Sequence, residues 1–228
     1  MQKQSPETTI TVVDYGASNL RSVQRALEAV GQHPHVTSDP HDIDGAHGLV
    51  LPGVGSANDA MKAIRARGLA RPLRDYAASG RPFLGVCVGL QLLFDWSDEG
   101  GGTACLGIVP GVVRRFSASP QSQLKVPHMG WNTVALRYPH PLVDGIPDDG
   151  HFYFVHSYYP EPEDPAMALG TTEYGVPFAS IVARDNVVAT QFHPEKSATL
   201  GLRLYGSFAR IVQAAQPGGP RVLSEVRP

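Results

Sequence analysis

Apolar residues fall into short blocks along this chain, and the period of the blocks changes near residue 104. TITVVDYG (9–16) carries Ile10, Val12 and Val13 in a nearly continuous run and reads as a strand. In SNLRSVQRALEAVG (18–31), Leu20, Val23, Leu27 and Val30 recur at spacings of 3, 4 and 3, the period of one helix face. Ser18 can cap its start and Gly31 ends it. GLVLPG (48–53) is a buried strand running into the loop PGVGSAND. Helices are expected around 57–66 and 69–79, a strand at RPFLGV (81–86) and a helix at VGLQLLFDW (88–96). Strands alternating with helices predict an α/β fold, a mostly parallel central sheet flanked by helices.

Residues 104–190 break that rhythm. Short β-like runs such as GIVPGVVRRF, WNTVAL, HFYFVHSYY, MALGTTEY and VVATQF are divided by Pro and Gly turns. They predict additional antiparallel strands. SATLGLRLYGSFARIVQAA closes the fold as a helix, with Leu200, Leu204, Phe208 and Ile211 on one face. The expected organisation is a flexible leader at 1–9, one domain at 10–214 and a loose tail at 215–228, with SASPQSQ (117–123) as a loop.

Composition narrows the function classes. The chain has 228 residues, 42% of them hydrophobic, enough for one sizeable core. Its net charge is −2 and it has no basic run, so a nucleic-acid partner is not expected. No apolar stretch approaches the roughly 18 residues that cross a bilayer. The polar start lacks a signal-peptide core, and the expected setting is the cytoplasm. Two cysteines, Cys87 and Cys105, make neither a disulfide framework nor a zinc site. No His, Cys, Asp and Glu cluster has ligand spacing, so neither a metal nor an organic cofactor is expected.

The sharpest local feature is FLGVCVGLQLLFDW (83–96), a strand, then Gly-x-Cys-x-Gly, then an apolar repeat. This is the cysteine form of a nucleophile elbow. Gly85 and Gly89 leave room for a tight, strained turn that lifts the Cys87 sulfur above the sheet edge. A helix starting at Val88 would aim its positive end at the sulfur and favour the thiolate. The Val88 N–H is then available to a developing oxyanion. The plain alternative is an inert buried cysteine, which is the better reading for Cys105 in GTACLGIV.

A thiolate nucleophile needs a base and proton carrier. In QFHPEKS, Pro194 prevents helix, and His193 and Glu195 project to the same side of an extended segment. Glu195 can then fix the imidazole tautomer and stabilise its charged form.

GVCVGLQ with a downstream HPE resembles the class I glutamine amidotransferases, from VVDYG to the last helix. The resemblance implies a triad of Cys87 as nucleophile, His193 as general base and acid, and Glu195 as its orienting partner. It implies that Gly53, Val54 and Gly55 supply a second oxyanion amide and contact glutamine, and that Gln91 lies near the bound substrate. It also implies that the backbone at Ser157 and Tyr158 holds the substrate's amino-acid end.

DYGASN, PGVGS, PHMGWN and FVHSYY followed by GTTEYG resemble one branch of that family. Its members pass ammonia to a (β/α)8-barrel cyclase subunit, with which they form a heterodimer. The residues alone leave PHMGWN open: Met129 and Trp131 beside Gly130 fit either an exposed anchor or core beneath a loop. The resemblance assigns Pro127, His128, Met129, Gly130, Trp131 and Asn132 to the cyclase interface, with Asn19 and Lys196 near the ammonia exit. Rival readings are a glutaminase subunit of another synthase, a stand-alone cysteine hydrolase and a non-catalytic docking scaffold.

Overall fold

The computed structural model describes residues 9–16, 19–117 and 124–216. Ser18, most of the expected leader and tail, and most of SASPQSQ lie outside the described residues. The first part of the chain forms β1 (Ile10–Val13), α1 (Leu20–Ala29), β2 (His35–Thr37), α2 (Pro40–Asp44) and β3 (Gly48–Leu51). It continues through α3 (Ala57–Ala66), α4 (Ala70–Ala78), β4 (Phe83–Val86) and the single turn α5 (Val88–Gln91). Then come β5 (Trp96–Ser97), β6 (Thr103–Ala104), β7 (Gly111–Arg115), β8 (His128–Leu136), β9 (Gly150–His156) and β10 (Tyr158–Pro162). The chain ends in β11 (Ala168–Glu173), β12 (Pro177–Arg184), β13 (Val187–Thr190) and α6 (Ala198–Ala214).

Nine strands form the main sheet, in the order β2-β1-β3-β4-β13-β12-β11-β8-β9. The strands from β2 to β13 pair in parallel, and those from β13 to β9 pair antiparallel. A second sheet of four strands has the order β10-β7-β5-β6. Every residue of β1, β3, β4 and β13 is buried, which is why these strands read as nearly continuous apolar runs. Helices cover both faces. A Cβ on Gly48 would stand 2.3 Å from Val212 of α6, so that helix lies directly on β3. On the opposite face, Tyr76 of α4 meets Phe83 edge to face, with centroids 6.0 Å apart. Gly31 ends α1 as read: its N–H bonds to Glu28 O and that of Gln32 to Leu27 O, the paired bonds of a helix closed by a left-handed glycine.

Three expectations need correction, and two elements were missed. The helix expected over 88–96 is one turn of four residues. Leu92, Leu93 and Phe94 are buried, and their carbonyls accept from the N–H groups of Leu106, Ile108, Val109 and Gly107 instead of continuing the helix. VVATQF joins the parallel part of the sheet beside β4, although its other neighbour, β12, is antiparallel. HFYFVHSYY divides at Ser157 into β9 and β10, which lie in different sheets. Finally, β2 and α2 went unread, although Asp39 caps α2 by accepting from the His41 N–H, with Pro40 at the first helical position.

Candidate active site

The site lies at the carboxyl ends of three adjacent parallel strands, the edge where open α/β sheets bind ligands. β4 delivers Cys87, β13 delivers Gln191 to His193, and β3 delivers Pro52 and Gly53. Cys87 has φ 54° and ψ −110°, a conformation that side chains other than glycine rarely adopt. Its N–H bonds to Thr190 O at 2.7 Å, so the elbow hangs on the neighbouring strand. A Cβ on Gly89 would stand 1.9 Å from Leu51 O, and one on Gly53 would stand 2.6 Å from the Gly89 N. Both glycines are therefore required by the close approach of the PGVG loop to the elbow. Val88 occupies the first position of α5, where an N–H has no partner within the helix. Of the loop residues, Gly53 is buried, Val54 is half-buried, and Gly55 is exposed with φ 82°.

His193 and Glu195 meet as read. His193 Nδ1 lies 2.7 Å from Glu195 Oε1, with both side chains at most 2% exposed. Asn19 Nδ2 donates to the same carboxylate oxygen at 2.5 Å, and the Tyr205 hydroxyl donates to the other at 3.3 Å. The His193 backbone is held as well. Its N–H bonds to Tyr153 O at 2.9 Å, and its carbonyl accepts from Ser197 Oγ at 2.6 Å. Burial alone would lower the His193 pKa. The charge and hydrogen bonding of Cys87 and Glu195 outweigh it and raise the value to about 10. Burial likewise opposes charge on Glu195, but His193 and Asn19 hold its carboxyl below the usual range. The favoured imidazolium in turn stabilises negative charge on the sulfur beside it, so the partner histidine takes over the role expected of a long helix.

Gln91 is 3% exposed and donates to Tyr158 O at 3.0 Å and to Gln191 Oε1 at 3.1 Å. Ser157 offers its carbonyl to the Phe116 N–H at 3.0 Å. Gln91 and Tyr158, both expected at the substrate, are thus joined directly.

The expected interface residues divide by face. In β8, Met129 and Trp131 point outward, 63% and 54% exposed, which rules out the core reading. Pro127 and Lys196 are also exposed, and Gly130 and Asn132 are half-buried. Lys196 Nζ lies 5.8 Å from the centre of the Tyr153 ring, whose edge meets Trp131. His128 points the other way, is 3% exposed and stacks against Tyr174 and Phe154, so it makes no surface contact. Asn19, through its bond to Glu195, lies beside the His193–Glu195 pair.

Sequence reasoning missed Gln191, which is fully buried with Nε2 3.8 Å from the Cys87 sulfur. The period-two rule that paired His193 with Glu195 would also have found it. It missed Tyr15, too, whose buried hydroxyl has no hydrogen-bond partner among the described residues and lies against Gly53. Among the described residues, no group of three or more His, Cys, Asp or Glu side chains could hold a metal ion, and no helix is long and apolar enough to cross a membrane.

Comparison with known proteins identifies the family. The family model for glutamine amidotransferase class-I matches residues 11–206. The imidazole glycerol phosphate synthase subunit HisH of Dehalococcoides mccartyi is 47% identical over 202 residues, covering 89% of this chain and 97% of that protein. That of Syntrophotalea carbinolica is 50% identical, covering 87% and 98%. Among solved structures, PurLQS from Thermotoga maritima superposes with a TM-score of 0.71 at 19% identity, covering 90% of this chain and 98% of that one, which speaks for the fold alone. The chain belongs to the class I glutamine amidotransferases and, within them, to the family of the imidazole glycerol phosphate synthase subunit HisH.

Proposed function

We propose that this chain hydrolyses glutamine at Cys87 and passes the ammonia to a (β/α)8-barrel cyclase, its partner in a heterodimeric imidazole glycerol phosphate synthase of histidine biosynthesis. The reading is carried by one observation: a strained, buried cysteine faces a buried histidine that is bonded to a buried carboxylate. The Cys87 sulfur attacks the side-chain carbonyl carbon of glutamine. The oxyanion is held by the Val88 N–H and by an amide of the Gly53-Val54-Gly55 loop. The tetrahedral intermediate collapses, the C–N bond breaks, and His193 gives its proton to the leaving nitrogen, which departs as ammonia. Neutral His193 then takes a proton from water as the water oxygen attacks the thioester. The sulfur leaves, glutamate is released, and Glu195 keeps the ring aligned throughout.

Gln91 and the backbone at Ser157 and Tyr158 form the substrate's side of the pocket. The exposed pair Met129 and Trp131 supports docking of a partner on β8, with Pro127, Gly130, Asn132 and Lys196 around it. The free thiols of Cys87 and Cys105 suit the reducing cytoplasm. The domain boundaries expected at 10 and 214 form part of this proposal.

The test is glutamate release from glutamine, with and without the cyclase loaded with its ribonucleotide substrate. Strong stimulation by the loaded cyclase is expected. Turnover indifferent to it would keep Cys87 as nucleophile but point to another synthase, and no turnover under any condition would overturn the reading. Trp131→Ala is expected to weaken cyclase binding by on the order of tenfold or more, measured by titration calorimetry.

A further inference from the structure

Between the exposed strand β8 and the Cys87 sulfur runs a chain of buried polar groups that the triad chemistry does not use. Asn132 Nδ2 lies 3.3 Å from His128 Nε2, and His128 Nδ1 lies 3.0 Å from His156 Nε2. His156 Nδ1 lies 2.8 Å from Tyr158 O. Tyr158 O also accepts from Gln91 Nε2 at 3.0 Å. Gln91 Nε2 donates to Gln191 Oε1 at 3.1 Å, and Gln191 Nε2 lies 3.8 Å from the sulfur.

Elementary chemistry fixes every proton in this chain. A carbonyl oxygen only accepts, so Tyr158 O requires His156 to carry its proton on Nδ1. His156 Nε2 is then an acceptor, which requires the proton of His128 on Nδ1. That leaves His128 Nε2 to accept from Asn132. On the other side, the same carbonyl requires the amide nitrogen of Gln91 to face it. Because that nitrogen also faces Gln191, the amide oxygen of Gln191 must point towards Gln91 and its N–H must point at the sulfur. Both rings must be neutral. Burial among Phe116, Phe154, Tyr174 and Phe178 keeps them so, lowering His128 to about 4 and His156 to about 3.

Resting on the reading of Cys87 as nucleophile, we infer that Gln191 holds the sulfur through its N–H, and that the His128–His156 pair is a positioning device that anchors the Tyr158 carbonyl, the acceptor that fixes which way that amide points. The bond complements His193. An amide N–H is not transferred, so it stabilises sulfur charge in the resting site and again when the sulfur leaves the thioester, whichever proton state His193 is in. The device reaches the surface at Asn132, next to Trp131, so the docking strand and the nucleophile share one hydrogen-bonded path.

The test uses the full chain with its cyclase and compares wild type, Gln191→Met and His128→Phe. Methionine keeps the length of glutamine without an N–H. Phenylalanine keeps the stacked ring and removes both ring nitrogens. The readouts are the rate of Cys87 alkylation by iodoacetamide near neutral pH, the kcat and KM for glutamine, and ammonia-driven synthase turnover as a check on folding and docking. In Gln191→Met, alkylation and kcat are expected to fall together by about ten- to hundredfold, with KM little changed and ammonia-driven turnover intact. In His128→Phe, which is five hydrogen bonds from the sulfur, alkylation is expected to fall by about threefold or more.

Unchanged alkylation in Gln191→Met overturns the assignment. So does a fall in kcat alone, since Gln191 would then act on the substrate. Unchanged alkylation in His128→Phe removes the histidine pair from the device. Should Gln191→Met lose ammonia-driven turnover, His128→Phe carries the test. Absence of glutaminase activity in the wild type would count against the proposed function and not against this inference, because alkylation reads the sulfur without substrate.

Discussion

Cys87 and Cys105 are hidden to the same depth, 2% and 4% exposed, and their surroundings give them opposite chemistry. Cys105 follows β6 with its sulfur 3.6 Å from Thr103 O. Burial pushes its thiol up to about 11; Arg65 opposes the shift, and the carboxylates of Glu99 and Asp95 add to it. At neutral pH it is a small apolar group. Cys87 instead sits on a strained corner between His193 and the Gln191 amide. The buried histidines repeat the contrast. His193 is raised to about 10 by its charged partners, while His156, packed among rings, falls to about 3. Desolvation penalises charge at Cys105, His193 and His156, and only the partners placed beside His193 reverse it.

The largest test of this contrast is to remove each sulfur. Cys87→Ala is expected to abolish glutamate release, a loss on the order of 10⁶ for a covalent nucleophile, while ammonia-driven turnover by the complex continues. Cys105→Ala should leave glutaminase activity essentially unchanged and lower stability slightly. Glutamate release by purified Cys87→Ala would sink the assignment.

A smaller effect separates the sulfur from its support. Glu195→Gln keeps the shape at His193 but removes one of the two influences, Cys87 and Glu195, that raise its pKa. One amide atom must also face Asn19 or Tyr205, which both donate to the carboxylate. Glutaminase kcat is expected to fall by about 10²–10³, leaving measurable activity because Glu195 orients and does not react. Activity as low as that of Cys87→Ala, with unchanged stability, would give Glu195 a larger role.

What could be read in the sequence follows the range of the interactions involved. The elbow was legible because Gly85, Cys87 and Gly89 stand together in one short motif, although the atom that requires Gly89 belongs to β3, and the His193–Glu195 pair because extended backbone places alternate residues together. The helix after Cys87 was misread because LQLLF is buried on all sides. Periodicity cannot distinguish such a run from a helix when the carbonyls of Leu92, Leu93 and Phe94 are taken by residues 106–109. The parallel partner of β13 and the division at Ser157 depend on sheet pairing across long stretches of chain, for which VVATQF and HFYFVHSYY carry no local mark. Met129 and Trp131 stayed ambiguous for the same reason: alternation places them on one face without saying which face meets solvent.

The elbow's dependence on glycine can be measured through stability. A Cβ at Gly89 would overlap Leu51 O, a backbone atom that cannot move aside without disturbing β3. Gly89→Ala is expected to cost about 1–3 kcal/mol, a fall in Tm of roughly 3–10 °C by calorimetry. It should also lower kcat, because the PGVG loop shifts with the elbow. An unchanged Tm would mean that the elbow tolerates a wider turn than the packing shows.

The finest test uses the opposite pKa shifts of the two histidine sites, followed as Tm against pH. His193 is raised from 6.5 to about 10, so its contribution to stability is complete below about 6.5 and is lost as pH rises towards 10. Glu195 is lowered from 4.5, so its contribution is present above 4.5 and is lost as pH falls further. The Tm difference between wild type and Glu195→Gln should therefore be largest between about pH 4.5 and 6.5 and shrink towards pH 10. His156 is lowered from 6.5 to about 3, so its contribution is present above 6.5 and disappears in acid. The difference between wild type and His156→Phe should persist at alkaline pH, where the first one fades. If both differences changed with pH in the same sense, the two sites would not be opposites, and the contrast drawn from their partners would fail.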